Sequence, residues 1–245
     1  MIFSVFVLLV AALAGGVAAV SGFGIGSLLT PLFAGRYGAK LAVAIVSVPH
    51  LVATAARFFG LRQHLDRRVF LNFGILSAAG GLLGALLNAR ANSPMLAIVF
   101  GGLLIFAGIS GLTGFIDRMH FGRRMAWVAG ALSGFFGGLV GNQGGIRSAA
   151  LLGFDVRKET LVATATAVAL MVDGARMPVY LTLETRGVLS AWPVLVTSVI
   201  GVLLGTFWGV RLLRRIREEM FRKLLNLLIL GLGIYMVAHG VKPRG

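Results

Sequence analysis

Apolar runs of about 20 residues recur along the whole chain, parted only by short polar interruptions, and a run of that length crosses a bilayer core as a helix. In lipid every backbone N–H and C=O must bond internally, so helices or a closed barrel are the only options. The runs are too long and too uniform for the short alternating strands of an outer-membrane barrel. The expected fold is therefore all-α, a polytopic helical membrane protein. Composition agrees: 58% of the 245 residues are hydrophobic and 13% are charged, against about 25% charged in an average soluble domain.

The expected segments are 2–34, 40–60, 69–90, 95–116, 125–153, 160–183, 187–210 and 220–240. No soluble domain fits between them, so residues 1–245 form a single membrane domain. The N-terminal stretch has the small residues of a signal-peptide cleavage site but lacks a basic n-region, so its retention is favoured. The net charge of +15 suggests nucleic acid, but basic residues also collect in cytoplasmic loops and orient a membrane protein. The second reading is preferred, and no nucleic-acid partner is expected. The absence of cysteine excludes disulfides and thiolate chemistry. His50, His64, His120 and His239 are scattered without metal-ligand spacing, so neither metal nor cofactor is expected.

Sliding the chain by 119 residues reveals an internal repeat. "AVSGFGIGSLLTPLF" falls on "GLVGNQGGIRSAALL", so Gly22 meets Gly141 and Gly26 meets Gly145. Arg57 meets Arg176 and Arg67 meets Arg186; after a slip of two residues "GGLLG" at 80–84 meets "GVLLG" at 201–205. The two sequence-related halves are about 1–116 and 125–240. The basic loop of the first half, "LRQHLDRR", has a nearly neutral counterpart, "LETRG", whereas the strongly basic "RLLRRIREEMFRK" has a counterpart around Arg90 that is not basic. Positive charge thus marks opposite sides of the two halves, the signature of inverted repeats. Four plain crossings per half would give parallel halves. An odd number is needed, and the simplest source is that 2–34 and 125–153 each dip in, break at their glycines and return.

Those breaks are the first candidate site. Glycine costs about 1 kcal/mol relative to alanine in a helix interior, and Pro31 removes a donor. Broken helices in matching positions of two repeats point to a transporter's central site, and their half-helix N-termini favour an anion. Close packing through small residues is the alternative, preferred for "GGLLGALL" at 80–87. The candidate substrate-binding residues are Gly22, Gly24, Gly26, Ser27, Gly141, Asn142, Gln143, Gly144, Gly145 and Arg147, joined by Arg57 and Arg176. An arginine near the bilayer centre costs at least about 2.5–3.5 kcal/mol, so each needs a partner, a cavity or an interface. Arg57 either lines the site or snorkels to the headgroups. Arg176 either lines it or forms a structural pair with Asp173, three residues earlier on the same helix face. Guanidiniums there would present forked donors to an oxyanion. Ser27, Thr30 and Ser148 either donate to the anion or bond their own helices. Asp173 and then His50 are the proton-coupling candidates.

With "GFGIGSLLTPLF" near the start, "GNQGGIRSAALL" opening the second half, and "LAVAIVSV" and "LVATATAV" following each, the chain resembles the sulfite exporter TauE/SafE family of small bacterial permeases. The resemblance covers nearly the whole chain. It implies a multi-pass protein of the bacterial inner (plasma) membrane that exports sulfite, organosulfonates or small organic acids. The first expectation is a secondary transporter for small anions, with alternating access around the glycine breaks. No Walker-type phosphate loop occurs. The alternatives are an anion channel, which would not show counterflow, and, more remotely, a membrane-embedded enzyme, for which nucleophile and metal constellation are lacking. The expected partners are the small anion and membrane lipid. Small-residue faces such as 80–88 permit a homodimer without requiring one.

Overall fold

The computed structural model describes residues 2–115, 123–141, 144, 147, 151, 158–209 and 217–241. All of the described secondary structure is helical. The first half contains α1 (Ile2–Ser21), α2 (Ile25–Tyr37), α3 (Ala39–Leu61), a 3-10 turn (Arg62–His64), α4 (Arg67–Arg90) and α5 (Ser93–Thr113). The second contains α6 (Arg123–Val140), α7 (Lys158–Leu183), α8 (Thr185–Ser190), α9 (Trp192–Leu204), a π turn (Gly205–Gly209) and α10 (Glu218–Val241). Six of the described helices are long and apolar enough to cross a membrane, and two shorter apolar helices cover 125–140 and 192–208.

The other expected segments recur with their ends adjusted by local chemistry, whereas of 125–153 helix α6 covers the part to Val140 and most of the rest lies outside the described residues. Asp66 and Asn92 accept N-cap bonds from Val69 N and Met95 N, which start α4 and α5. The expected 187–210 segment is instead parted at Ala191, because Pro193 sits in the first turn of α9, where its fixed φ suits a helix start. The 2–34 stretch, where a break at the glycines was expected, is two helices parted at 22–24, and α2 runs on to Tyr37.

Glycine sets the packing of the long helices. A Cβ on Gly80 would strike Ala131 O, and one on Gly84 would strike Phe135 O, so α4 lies directly on α6. Gly201 of α9 and Gly205 of the π turn do the same against α1, at Leu8, Ala11 and Ala12. Both pairs run parallel. Helices α5 and α10 run antiparallel, with Gly108 beside Asn226 and Leu230, and Gly240 beside Pro94 and Ile98. Helices α3 and α7 are also antiparallel, tied by Lys40 with Glu184 at 3.8 Å, Ser47 with Met177 at 3.0 Å and Asp66 N with Thr164 Oγ1 at 3.2 Å. The start of α1 meets the end of α2, where the Arg36 guanidinium lies 4.7 Å from the Phe3 ring centre. The larger core cluster draws on both halves, with Val7, Leu29, Ile45, Phe100, Val202 and Ile229 all buried.

Candidate functional site

The chain between α1 and α2 turns through two residues that only glycine adopts readily, Gly22 at φ 81° and Gly24 at φ 133°. The Ser21 hydroxyl, 2.8 Å from both Val17 O and Phe23 O, closes the turn. Gly141, just past α6, has φ 78°, so the repeat-mates Gly22 and Gly141 share the same left-handed turn. The two turns touch: a Cβ on Gly26 would strike Gly141 O, and one on Gly144 would strike the Phe23 side chain. No side chain caps the N-terminus of α2.

A small cavity of about 20 Å³ lies where they meet, room for about one water. Its lining includes Gly22, Gly24, Gly26, Ser27, His50, Arg57, Gly141, Gly144 and Arg147. Three lining residues escaped the sequence reading: Phe23, Thr166 and Ala169. Thr166 stands seven residues before Asp173, two helical turns along the same face of α7, a signal that could have found it. Asn142, Gln143, Gly145 and Ser148 lie outside the described residues.

The arginines divide into two kinds. Arg176 is buried and fully engaged with protein: its Nε and Nη2 donate to Asp173 Oδ1 at 2.9 and 2.7 Å, and Nη1 donates to Gly137 O. Tyr180, one turn on, donates to Gly138 O. Arg176 is absent from the cavity lining, so its partner is Asp173. Arg57 lines the cavity. Its Nη1 donates to Ala18 O and its Nη2 to Thr54 Oγ1 at 3.2 Å. Arg147 is 4% exposed and donates from Nη1 to Ala165 O at 3.1 Å. Arg57 Nε and Arg147 Nε and Nη2 are buried without a hydrogen-bond partner among the described residues. A buried polar group left unpaired is costly, more so when charged.

Asp173 joins the two sets. Its second oxygen, Oδ2, lies 2.7 Å from His50 Nδ1. An ionised carboxylate only accepts, so Nδ1 carries the hydrogen and Nε2 is the polar atom left to a ring that lines the cavity. The cluster thus holds three guanidiniums, Arg57, Arg147 and Arg176, against one carboxylate among the described residues, Asp173. Thr30 Oγ1 is buried beside Gly141 without a partner among the described residues.

A family model described as sulfite exporter TauE/SafE matches residues 7–236, nearly the whole chain. The chain belongs to the TauE/SafE family. No curated protein and no solved structure matches it significantly. As a TauE/SafE protein with six helices able to cross a membrane, it is a multi-pass membrane protein of a transporter family. Both touching turns lie inside the TauE/SafE match, as do all three arginines of the cluster.

Proposed function

We propose that the protein is a secondary transporter for small anions, with sulfite, organosulfonates and small organic acids as the substrate class and the bacterial inner membrane as its place. The observation that carries this is the set of unpartnered donors on Arg57 and Arg147 at a cavity where the described residues carry excess positive charge. An oxyanion there would accept from two guanidiniums, and the uncapped N-terminus of α2 would add its partial charge. The glycines at the turns let the backbone approach. Asp173 and His50, in direct contact, form the place where a proton would couple to the anion. The cavity holds about one water as it stands, so loading requires it to widen, as alternating access would.

Several contacts favour inverted repeats with re-entrant first units. Helices α1 and α9 pair as α4 and α6 do, which exchanges equivalent elements between the halves. The Phe3–Arg36 contact brings α1–α2 back to the face it entered. Helix α7 runs opposite to its equivalent α3, and α10 opposite to α5.

The test is thermal stability of purified protein against sulfite, sulfate, thiosulfate, sulfoacetate, acetate and lactate, beside Arg147→Ala. A ligand that binds the native state raises apparent stability, by about 2.7 kcal/mol at a hundred times Kd. One anion should stabilise the wild type and not the variant. Equal stabilisation of both would remove Arg147 from the site.

A further inference from the structure

We infer that this carrier is an obligatory anion exchanger, which reorients across the membrane only with an anion in its site. The inference rests on the anion-carrier reading above and adds what the empty site is able to do. Among the described residues the cluster sums to +2 with His50 neutral: Arg57, Arg147 and Arg176 against Asp173. Each member is bound to a helix or turn that borders the cavity, so the charge moves with the site. Charge of that size in a low-dielectric interior resists any step that strips it of solvent or counter-charge.

No other described residue of the site supplies the compensation. The lone carboxylate is already shared between Arg176 and His50. A proton bound at His50 or Asp173 raises the sum rather than lowering it, so a proton travels only beside an anion and never in its place. Arginine does not deprotonate in proteins. The three unpartnered donors, Arg57 Nε and Arg147 Nε and Nη2, make the same demand in hydrogen bonds. A dianion in the site satisfies both demands, a monoanion halves the charge, and the empty site meets neither. Export of one anion therefore calls for a second small oxyanion on the return leg.

The test uses wild-type protein in vesicles, with the membrane potential clamped at zero by potassium and valinomycin. Radiolabelled sulfite, sulfate, thiosulfate, acetate and lactate are offered outside in turn. One set of vesicles contains the same unlabelled anion, and the other only a macromolecular polyanion. Initial uptake should be at least about tenfold faster into the preloaded set, the effect of about 1.4 kcal/mol on the reorientation barrier. Arg57→Gln, which lowers the charge by one, should narrow that ratio. Saturable uptake at equal rates into both sets overturns obligatory exchange and leaves the anion carrier standing. No uptake of any probe into either set overturns the carrier reading and the exchange mode with it.

Discussion

Asp173 is the residue on which the buried cluster turns, because each of its oxygens serves a different partner. Removing one member of a buried ion pair is costly because it strands the other, by about 3–5 kcal/mol. Arg176→Leu should therefore destabilise the protein by about that amount, and adding Asp173→Leu should restore part of it; unfolding in detergent followed by helical circular dichroism measures both. If the double variant is less stable than Arg176→Leu alone, the pair is not the unit it looks to be. The Asp173–Arg176 contact was legible in the sequence, since three residues along a helix bring side chains together. The His50–Asp173 contact was not, because it joins residues 123 apart and depends on how α3 and α7 pack. The choice between a cavity arginine and a snorkelling one was equally tertiary. Arg57 is held inward by Ala18 O, the contribution of a different helix.

At the scale of elements, glycine has two separable uses. Gly22 and Gly141 supply left-handed turns, whereas Gly80 and Gly84 supply close approach between helices whose backbones they nearly touch. The sequence reading told these apart by their neighbours: polar and charged residues at the turns, and apolar ones around 80–87. Contact between the two turns, Gly26 against Gly141, was beyond it, since no local pattern encodes which loops meet. The parting of 187–210 at Pro193 was locally encoded, and the apolar run masked it. Gly84→Ala should push α4 off α6 and lower stability by about 1–3 kcal/mol. Gly231→Ala is the control. Its added methyl meets nothing within 4 Å, and alanine is the better helix former by about 1 kcal/mol. Thermal unfolding of the two variants should therefore move in opposite directions. A shift of the same sign in both would mean that helix propensity, not interhelical distance, governs these positions.

At the scale of the whole molecule, the helix directions sort the charged ends onto two faces. The ends of α3 and α5 and the starts of α4, α6, α7 and α10 share one face, with Arg62, Arg67, Arg68, Arg217, Arg222 and Lys223 among its described basic residues. The opposite face carries Arg36, Lys40, Arg90 and Arg186, with Glu184 as a counter-charge. Basic residues are retained on the cytoplasmic side, so the first face should be cytoplasmic. The cavity lies nearer to it: Arg57 is in the last turn and a half of α3, and Gly22 is exposed. At the other face Lys40 donates to Ala89 O at 2.6 Å and approaches Glu184, which ties the two halves together above the site. The natural chain has no cysteine, so a single introduced thiol reports sidedness without background. His64→Cys and Ser190→Cys replace exposed residues on the two faces. In intact cells a membrane-impermeant maleimide should label Ser190→Cys and spare His64→Cys, and inside-out vesicles should reverse the pattern. Labelling of both thiols from the same side would overturn the inverted repeats proposed for the two halves, because His64 and Ser190 stand in matching loops of the two halves.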